Sequence, residues 1–144
     1  ALPILHKLAT DENLRLPIIH HPAYSGGFVS PGVSGVADYL QLGLLPRIFG
    51  ADMPIFVSYG GRFTFTEEQC KRISSYIKRP MGLMKAACPA PGGGVTDARL
   101  NELVELYGND TMFLVGGDMF RRGPDIEANM SYFVERLTKL SERT

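Results

Sequence analysis

One pattern recurs four times along the chain and restricts its folding more than any other feature. A short apolar run is followed by a loop rich in Gly or polar residues, and the loop by an amphipathic stretch. This alternation is the sequence signature of β-strands joined by helical crossovers, and it implies a parallel sheet covered by helices. The first run, Leu16-Pro17-Ile18-Ile19, closes on His20-His21. A loop from Pro22 to Gly35 then leads to a predicted helix over 36–49, with Val36, Leu40, Leu44 and Ile48 spaced four apart and Gly50 suited to its C-terminal cap. The second run, Met53 to Val57, leads through Ser58 to Phe63 towards Thr66, which forms a capping-box pattern with Gln69. Glu67 and Glu68 suit the first turn of that helix, Cys70, Ile73 and Ile77 its inward face, and Pro80 its end. The third run, Met84 to Pro89, is weaker. After Pro91-Gly92-Gly93-Gly94 come a cap at Thr96 or Asp97, a stripe of Leu100, Leu103, Val104 and Tyr107, and a stop at Gly108. The fourth run, Thr111 to Val115, ends on Gly116-Gly117. A polar loop with Arg121, Arg122 and Pro124 precedes a last helix from about Asp125 to Leu140, with Met130, Phe133, Val134 and Leu137 on one face.

Leu2 to Leu14 look like the tail of an earlier helix. The expected fold class is therefore α/β: the end of one unit, then four complete βα units in parallel. Four units make either a small open sheet or half of a (β/α)8 barrel, which typically takes about 250 residues. No linker or low-complexity segment divides the 144 residues, so 1–144 reads as a single segment.

Charge narrows the partners. Fifteen Lys and Arg balance fifteen Asp and Glu, without blocks of one sign. Neither nucleic acid nor an anionic membrane surface is indicated. No apolar run approaches the roughly 18 residues of a membrane span, and no targeting leader is visible. Cys70 and Cys88 are too few for a disulfide scaffold and too far apart for a metal knuckle, so reduced cysteines in a cytoplasmic protein are expected.

In parallel α/β folds, ligands sit at the carboxyl ends of the strands. Gly92-Gly93-Gly94 and Gly116-Gly117 follow the third and fourth runs there. Glycine lets backbone N–H groups approach an anion, and a helix N-terminus adds favourable potential for phosphate. Two such loops in consecutive final units favour phosphate binding over simple turns, because barrel phosphate sites are frequently built from the last two βα loops. His20-His21 ends the first strand; one of the pair faces a site there, as general acid, base or holder of a substrate oxygen, or else it is a packing histidine. As a metal site the pair is poor, because adjacent strand residues diverge. Arg62, behind Gly60-Gly61, is either a loop cation covering an anionic substrate or a solvated surface Arg. Ser25, Ser30, Ser34 and Ser58 fall on loops, but no G-x-S-x-G elbow, Walker motif or dinucleotide fingerprint appears. Paired carboxylates for glycosidase chemistry are lacking too.

The order His20-His21-Pro22-Ala23-Tyr24, Gly60-Gly61-Arg62, Pro89-Ala90-Pro91-Gly92-Gly93-Gly94 and Tyr107-Gly108-Asn109-Asp110-Thr111-Met112-Phe113-Leu114-Val115-Gly116-Gly117 resembles the C-terminal half of the RuBisCO large-subunit superfamily, and within it the RuBisCO-like proteins. The resemblance covers nearly the whole chain and is most specific from Cys88 to Gly117. It implies that the chain supplies the fifth to eighth units of a (β/α)8 barrel, as the C-terminal part of a TIM-barrel domain whose N-terminal half and preceding domain lie elsewhere. By resemblance His21 matches the substrate-contacting histidine of the fifth strand. Arg62 falls at about the position of the sixth-loop lysine of carboxylases. Gly92-Gly93-Gly94 matches their seventh-loop Ser-Gly-Gly, and Gly116-Gly117 the eighth-loop pair that binds a substrate phosphate.

The departures argue against carboxylation. Arg62 is bulkier than lysine and not readily deprotonated. Gly92 removes a serine hydroxyl, and Ser25 stands where carboxylases carry a second histidine. The resemblance thus implies an enzyme that enolises a phosphorylated sugar or sugar-acid with Mg2+, by isomerase, enolase or decarboxylase chemistry, without fixing CO2. The family includes a diketo-phosphate enolase of methionine salvage and a methylthioribulose-phosphate isomerase. The Mg2+ ligands are expected in the missing N-terminal half, so the complete protein is expected to be an enzyme, and whether this chain alone is one stays open. That half, or a partner chain, is expected to complete the barrel, and a homodimer is implied for the complete protein. The rival readings are a non-catalytic phosphate-binding or assembly module, a fragment of a true ribulose-bisphosphate carboxylase, and a small α/β domain whose glycines serve only turns.

Overall fold

A computed structural model describes residues 2–29 and 35–142. Residues 30–34 of the expected Pro22–Gly35 loop, with Ser30 and Ser34, lie outside the described residues. Helix α1 (Leu2–Ala9) precedes strand β1 (Ile19–His20) and the single turn α2 (Gly26–Val29). A π-helical segment (Tyr39–Leu44) runs into α3 (Leu45–Ile48), followed by β2 (Met53–Val57) and α4 (Glu67–Lys78). Then come β3 (Ala90–Gly92), a 3-10 turn (Asp97–Arg99), α5 (Leu100–Tyr107), α6 (Gly117–Arg121) and α7 (Ile126–Ser141).

The three strands form one parallel sheet in the order β1-β2-β3, Ile19 opposite Met53 and Ile55 opposite Ala90. The predicted fourth strand lies beside β3 but pairs sparsely. Met112 N–H donates to Pro89 O at 2.9 Å, Leu114 N–H to Pro91 O at 3.1 Å, and Leu114 bridges Gly92 in parallel. The architecture is thus the expected α/β one, with four extended segments running the same way.

The two faces of the sheet differ. Along β2 and into its loop, Pro54, Phe56 and Ser58 are buried, while Met53, Ile55 and Val57 are only partly so. Alternate side chains of a strand point to opposite faces. The first set meets the helices. Phe56 lies in one core with Cys70, Ile73 and Ile77 of α4 and Leu100, Leu103 and Tyr107 of α5, all at most 2 % exposed. Burying each large aliphatic side chain there contributes about 1.5–3 kcal/mol.

Helix α4 forms as its sequence directs. Thr66 caps it, Oγ1 accepting from Gln69 N–H and Gln69 Oε1 from Thr66 N–H. Helix α5 likewise buries Leu100, Leu103, Val104 and Tyr107 and stops at Gly108 with φ of 75°.

Three expectations need correction. The helix over 36–49 is not one α-helix with a Val36, Leu40, Leu44, Ile48 stripe. Pro46 has no N–H to return to Leu42 O, and the turn before it widens, with Leu45 N–H bonded to Leu40 O. Leu42, Gly43, Pro46 and Arg47 face inward instead, and Ile48 is 44 % exposed. The Arg47 guanidinium is buried because it donates to the carbonyls of Tyr76, Arg79 and Lys85, each at 2.8 Å.

The third strand is Ala90–Gly92, not Met84–Pro89. The chain turns at Met81–Met84, leaves Leu83 and Met84 exposed, comes alongside β2 at Cys88, whose N–H donates to Asp52 O at 2.8 Å, and enters the ladder where Ala90 meets Ile55. On α7 the buried residues are Asn129, Phe133 and Leu140, so the predicted face is rotated and Met130 and Val134 are about half exposed. Helix α6 occupies part of the predicted polar loop. No helix among the described residues is long and apolar enough to cross a membrane, and Cys70 and Cys88 are free.

Candidate functional site

Parallel pairing sets the carboxyl ends of the extended segments side by side, so the loops that follow them share one edge of the sheet. At β1 the register separates the two histidines. His20 stands opposite Pro54 and shares its helix-covered face, and strand alternation sends His21 to the other face with Ile19. His20 is accordingly half-buried, with Nδ1 unpartnered. Burial lowers its pKa, and the adjacent His21 lowers it further. His20 is thus held towards its neutral form on the helix-covered face, whereas His21 is exposed on the face away from the helices. Ser25 turns inward on its own loop, its hydroxyl donating to Pro22 O at 2.8 Å.

The second and third loops touch backbone to backbone. A Cβ on Gly61 would lie 2.9 Å from Gly94 N, and one on Gly94 would lie 2.7 Å from Gly61 N and 2.9 Å from Tyr59 O. Gly94 also has φ of +74°. Both demands make any other residue strained there. Gly92 belongs to β3 rather than to the loop, and its missing Cβ leaves room for Leu114 at 3.3 Å. The Gly92-Gly93-Gly94 cluster is thus partly explained by packing.

Gly116 and Gly117 are different. Neither has a positive φ. Nothing lies within 4 Å of a Cβ on Gly116, and only Arg121 Nη1, at 4.0 Å, approaches one on Gly117. They open α6, whose first turn has no side-chain cap.

Arg62 is exposed and rests on the Phe63 ring at 4.9 Å. Neither Arg62 nor His21 shares a hydrogen bond or ion pair with the glycine loops among the described residues. Two cavities lie away from this edge. One, of about 340 Å3, is lined by Leu8, Asp11, Arg15 and Asp52, near the amino ends of β1 and β2; the other, of about 700 Å3, lies along Ile126, Met130 and Val134 of α7.

Two connections were missed by the sequence reading. Arg99 Nη1 donates to Tyr59 O at 2.7 Å and Gly94 O at 3.0 Å, joining the second and third loops. Asp118 Oδ2 accepts from Asp97 N–H at 2.8 Å, joining the third and fourth, and this bond with Arg121 holds the Asp118 carboxyl below its usual pKa. Asp97 in turn accepts from Tyr132 Oη at 2.8 Å and lies 3.4 Å from Arg136 and 3.8 Å from Arg122. The three-residue step from Arg99 to Glu102 marks a helical ion pair, but its reach across to Tyr59 has no local signal. Among the described residues, no group of three or more His, Cys, Asp or Glu is placed to hold a metal ion.

No family-level sequence profile matches the chain. It is 35 % identical over 126 residues to ribulose bisphosphate carboxylase-like protein 1 of Rhodopseudomonas palustris, covering 88 % of this chain and 33 % of that protein. It is 33 % identical over 116 residues to a 2,3-diketo-5-methylthiopentyl-1-phosphate enolase of Exiguobacterium sibiricum, covering 81 % of this chain and 29 % of the enzyme. The crystal structure of a RuBisCO-like protein from Alicyclobacillus acidocaldarius superposes with a TM-score of 0.89 at 27 % identity, over 100 % of this chain and 36 % of that one. The chain spans about a third of the length of the relatives it matches.

Proposed function

We propose that this chain, which in sequence and fold is a C-terminal barrel segment of the RuBisCO-like proteins, builds the phosphate-binding side of an enolising active site. In this reading residues 1–144 are one segment of a TIM-barrel domain. The complete protein is a cytoplasmic homodimer that acts on a phosphorylated sugar or sugar-acid by isomerase, enolase or decarboxylase chemistry.

The observation that carries the reading is the Gly116-Gly117 entry to α6. The chain's own packing and backbone conformation do not require glycine there. A group from outside does, if it approaches the bare backbone closely. The uncapped N–H groups of a helix start suit an anionic group. Gly93 and Gly94 stand one loop away, fastened to the same frame through Asp97 and Asp118.

The residues divide the work. The two glycine loops hold the phosphate and so place the carbonyl end of the substrate over the open face of the sheet. His21 faces that side and carries or holds a proton at the substrate oxygen during enolisation. Arg62, free of ion pairs among the described residues, offers a planar cation from the second loop. The absence of a loop lysine, a loop serine and a second histidine supports enolisation without CO2 capture. Among the described residues, no group of three or more His, Cys, Asp or Glu is placed to hold Mg2+. In the proposal its ligands stand in the part of the relatives that this segment does not span, and no step above depends on it.

The test is exchange of the substrate C–H with deuterium from solvent, followed by NMR on the full-length natural polypeptide with 2,3-diketo-5-methylthiopentyl-1-phosphate and related phosphoketoses. Exchange that depends on the phosphate supports the reading. Phosphate binding without any exchange would leave a non-catalytic binding module in its place.

A further inference from the structure

Arg99 sits in the 3-10 turn that opens α5, with its side chain only 20 % exposed. One guanidinium nitrogen, Nη1, serves the carbonyls of both Tyr59 and Gly94. The group also lies 4.4 Å over the Tyr59 ring. Its other side is held by Glu102, at 2.9 Å from Nη2 and 3.4 Å from Nε, and Tyr59 Oη donates to the same carboxylate. A Cβ on Gly60 would fall 2.4 Å from Nη1, so a glycine lets the guanidinium into this space.

The consequence concerns the amides. In a trans peptide the N–H points opposite to the C=O, and no peptide among the described residues is cis. Holding the Tyr59 and Gly94 carbonyls on Arg99 therefore turns the N–H groups of Gly60 and Val95 away from it. Neither amide has a hydrogen-bond partner among the described residues, and neither does that of Gly93 or Gly94. Gly60 and Gly93 are exposed, so their free donors are open to an acceptor from outside the chain.

We propose that Arg99 is a positioning residue for anion binding: by clamping the Tyr59 and Gly94 carbonyls it locks the Gly60-Gly61 and Gly93-Gly94 loops into one unit and aims their free amides at the phosphate of the substrate. This rests on the functional reading above. Arg99 itself does not touch the phosphate, because four of its five N–H donors are spent on the two carbonyls and Glu102. Lysine cannot replace it, since an ammonium lacks the planar fork and the stacking face.

The experiment compares wild type, Arg99→Lys and Arg99→Met in the full-length natural polypeptide. Readouts are the Kd for inorganic phosphate, KM and kcat for a phosphorylated substrate, and amide hydrogen exchange at residues 60, 61, 93 and 94. Inorganic phosphate is expected to slow exchange at these glycines in wild type but not in Arg99→Met, which should also raise the phosphate Kd and KM by about tenfold or more, with kcat changed by less than about threefold. Arg99→Lys, which keeps the charge and the stem, should fold like wild type and still bind phosphate weakly. Wild-type phosphate binding in Arg99→Lys overturns the proposal, as does a fall in kcat with KM unchanged. A wild-type protein that binds no phosphate overturns the functional reading itself, and that outcome is read before any variant is made.

Discussion

The carboxylate of Asp118 accepts a 2.8 Å hydrogen bond from the backbone N–H of Asp97, and the loop after the fourth extended segment is thereby fastened to the turn that opens α5. Neither residue carries chemistry in the proposed reaction. Their bond fixes the distance between the two glycine loops, and Tyr132 and Arg136 of α7 brace it from below through the Asp97 side chain. The proposed phosphate side of the site is thus a tertiary object, built from four elements rather than from one loop.

That bond has a pH dependence. Asp97 N–H and Arg121 favour the charged form of Asp118, so its folded pKa lies below the ordinary 3.8. A depressed carboxyl contributes stability that is present above the unfolded pKa and is lost as pH falls from about 3.8 through the lower folded value. Asp118→Ala should lower the unfolding free energy by about 1–2 kcal/mol near neutral pH, as expected for a hydrogen bond to a charged group. Urea unfolding of wild type and variant between pH 6 and about 2.5 should show the gap narrowing only at the acid end. A constant gap would remove the charge from the explanation.

The glycines divide into two kinds, and substitution should separate them. Gly94→Ala places a Cβ 2.7 Å from Gly61 N at a φ of +74°, so backbone must move. A loss of about 2–4 kcal/mol is expected, as for a strained backbone combined with overpacking. Gly117→Ala meets only the tip of Arg121 at 4.0 Å, in the first turn of a helix. Its stability should stay within about 1 kcal/mol of wild type, since alanine is the better helix former. Phosphate affinity should nevertheless fall. Thermal melts with and without inorganic phosphate give both quantities; unchanged affinity in Gly117→Ala would reduce that pair to turn residues.

The two adjacent histidines predict opposite phenotypes. His21→Ala removes an exposed side chain, so folding should be unaffected while turnover in the complete protein falls by about 100-fold, the usual scale of a lost proton-transfer group. His20→Gln should leave turnover near wild type and alter the acid limb of stability. Burial lowers the folded pKa of His20 below its ordinary 6.5. The neutral form is thus preferred in the fold, and stability declines as pH drops below about 6.5 until the lowered pKa is passed. His20→Gln should flatten that decline. Equal turnover in wild type and His21→Ala would take His21 out of the mechanism.

What the sequence made legible follows a physical division. Where a local rule and the tertiary fold agree, the reading was sound. β2 spans Met53–Val57, α4 begins at its capping box, and α5 buries the stripe from Leu100 to Tyr107. Where tertiary contacts override local preference, it was not. Arg47 sits inward because three carbonyls, from Tyr76, Arg79 and Lys85, converge on it, which periodicity cannot foresee. Ala90-Pro91-Gly92 has poor intrinsic strand preference, and the ladder partners Ile55 to Val57 and Leu114 make it extended. The strand-end histidines and glycines were visible as residue types. The bonds by which Arg99 and Asp118 join the loops across 40 and 21 positions were not.

The capping box of α4 gives the simplest test of local against tertiary control. Thr66 and Gln69 satisfy each other's backbone N–H groups at the start of a helix whose Cys70, Ile73 and Ile77 are wholly buried. Thr66→Ala removes one acceptor from an exposed helix end, where water can replace it in part, so about 1 kcal/mol should be lost. Ile73→Ala removes a side chain that is 0 % exposed, between α4 and β2, and should cost about 2–5 kcal/mol. Urea midpoints at constant slope would measure both. If Thr66→Ala cost as much as Ile73→Ala, the helix would be held mainly by its own terminus, and the packing of α4 on the sheet could no longer be what positions the loop before it.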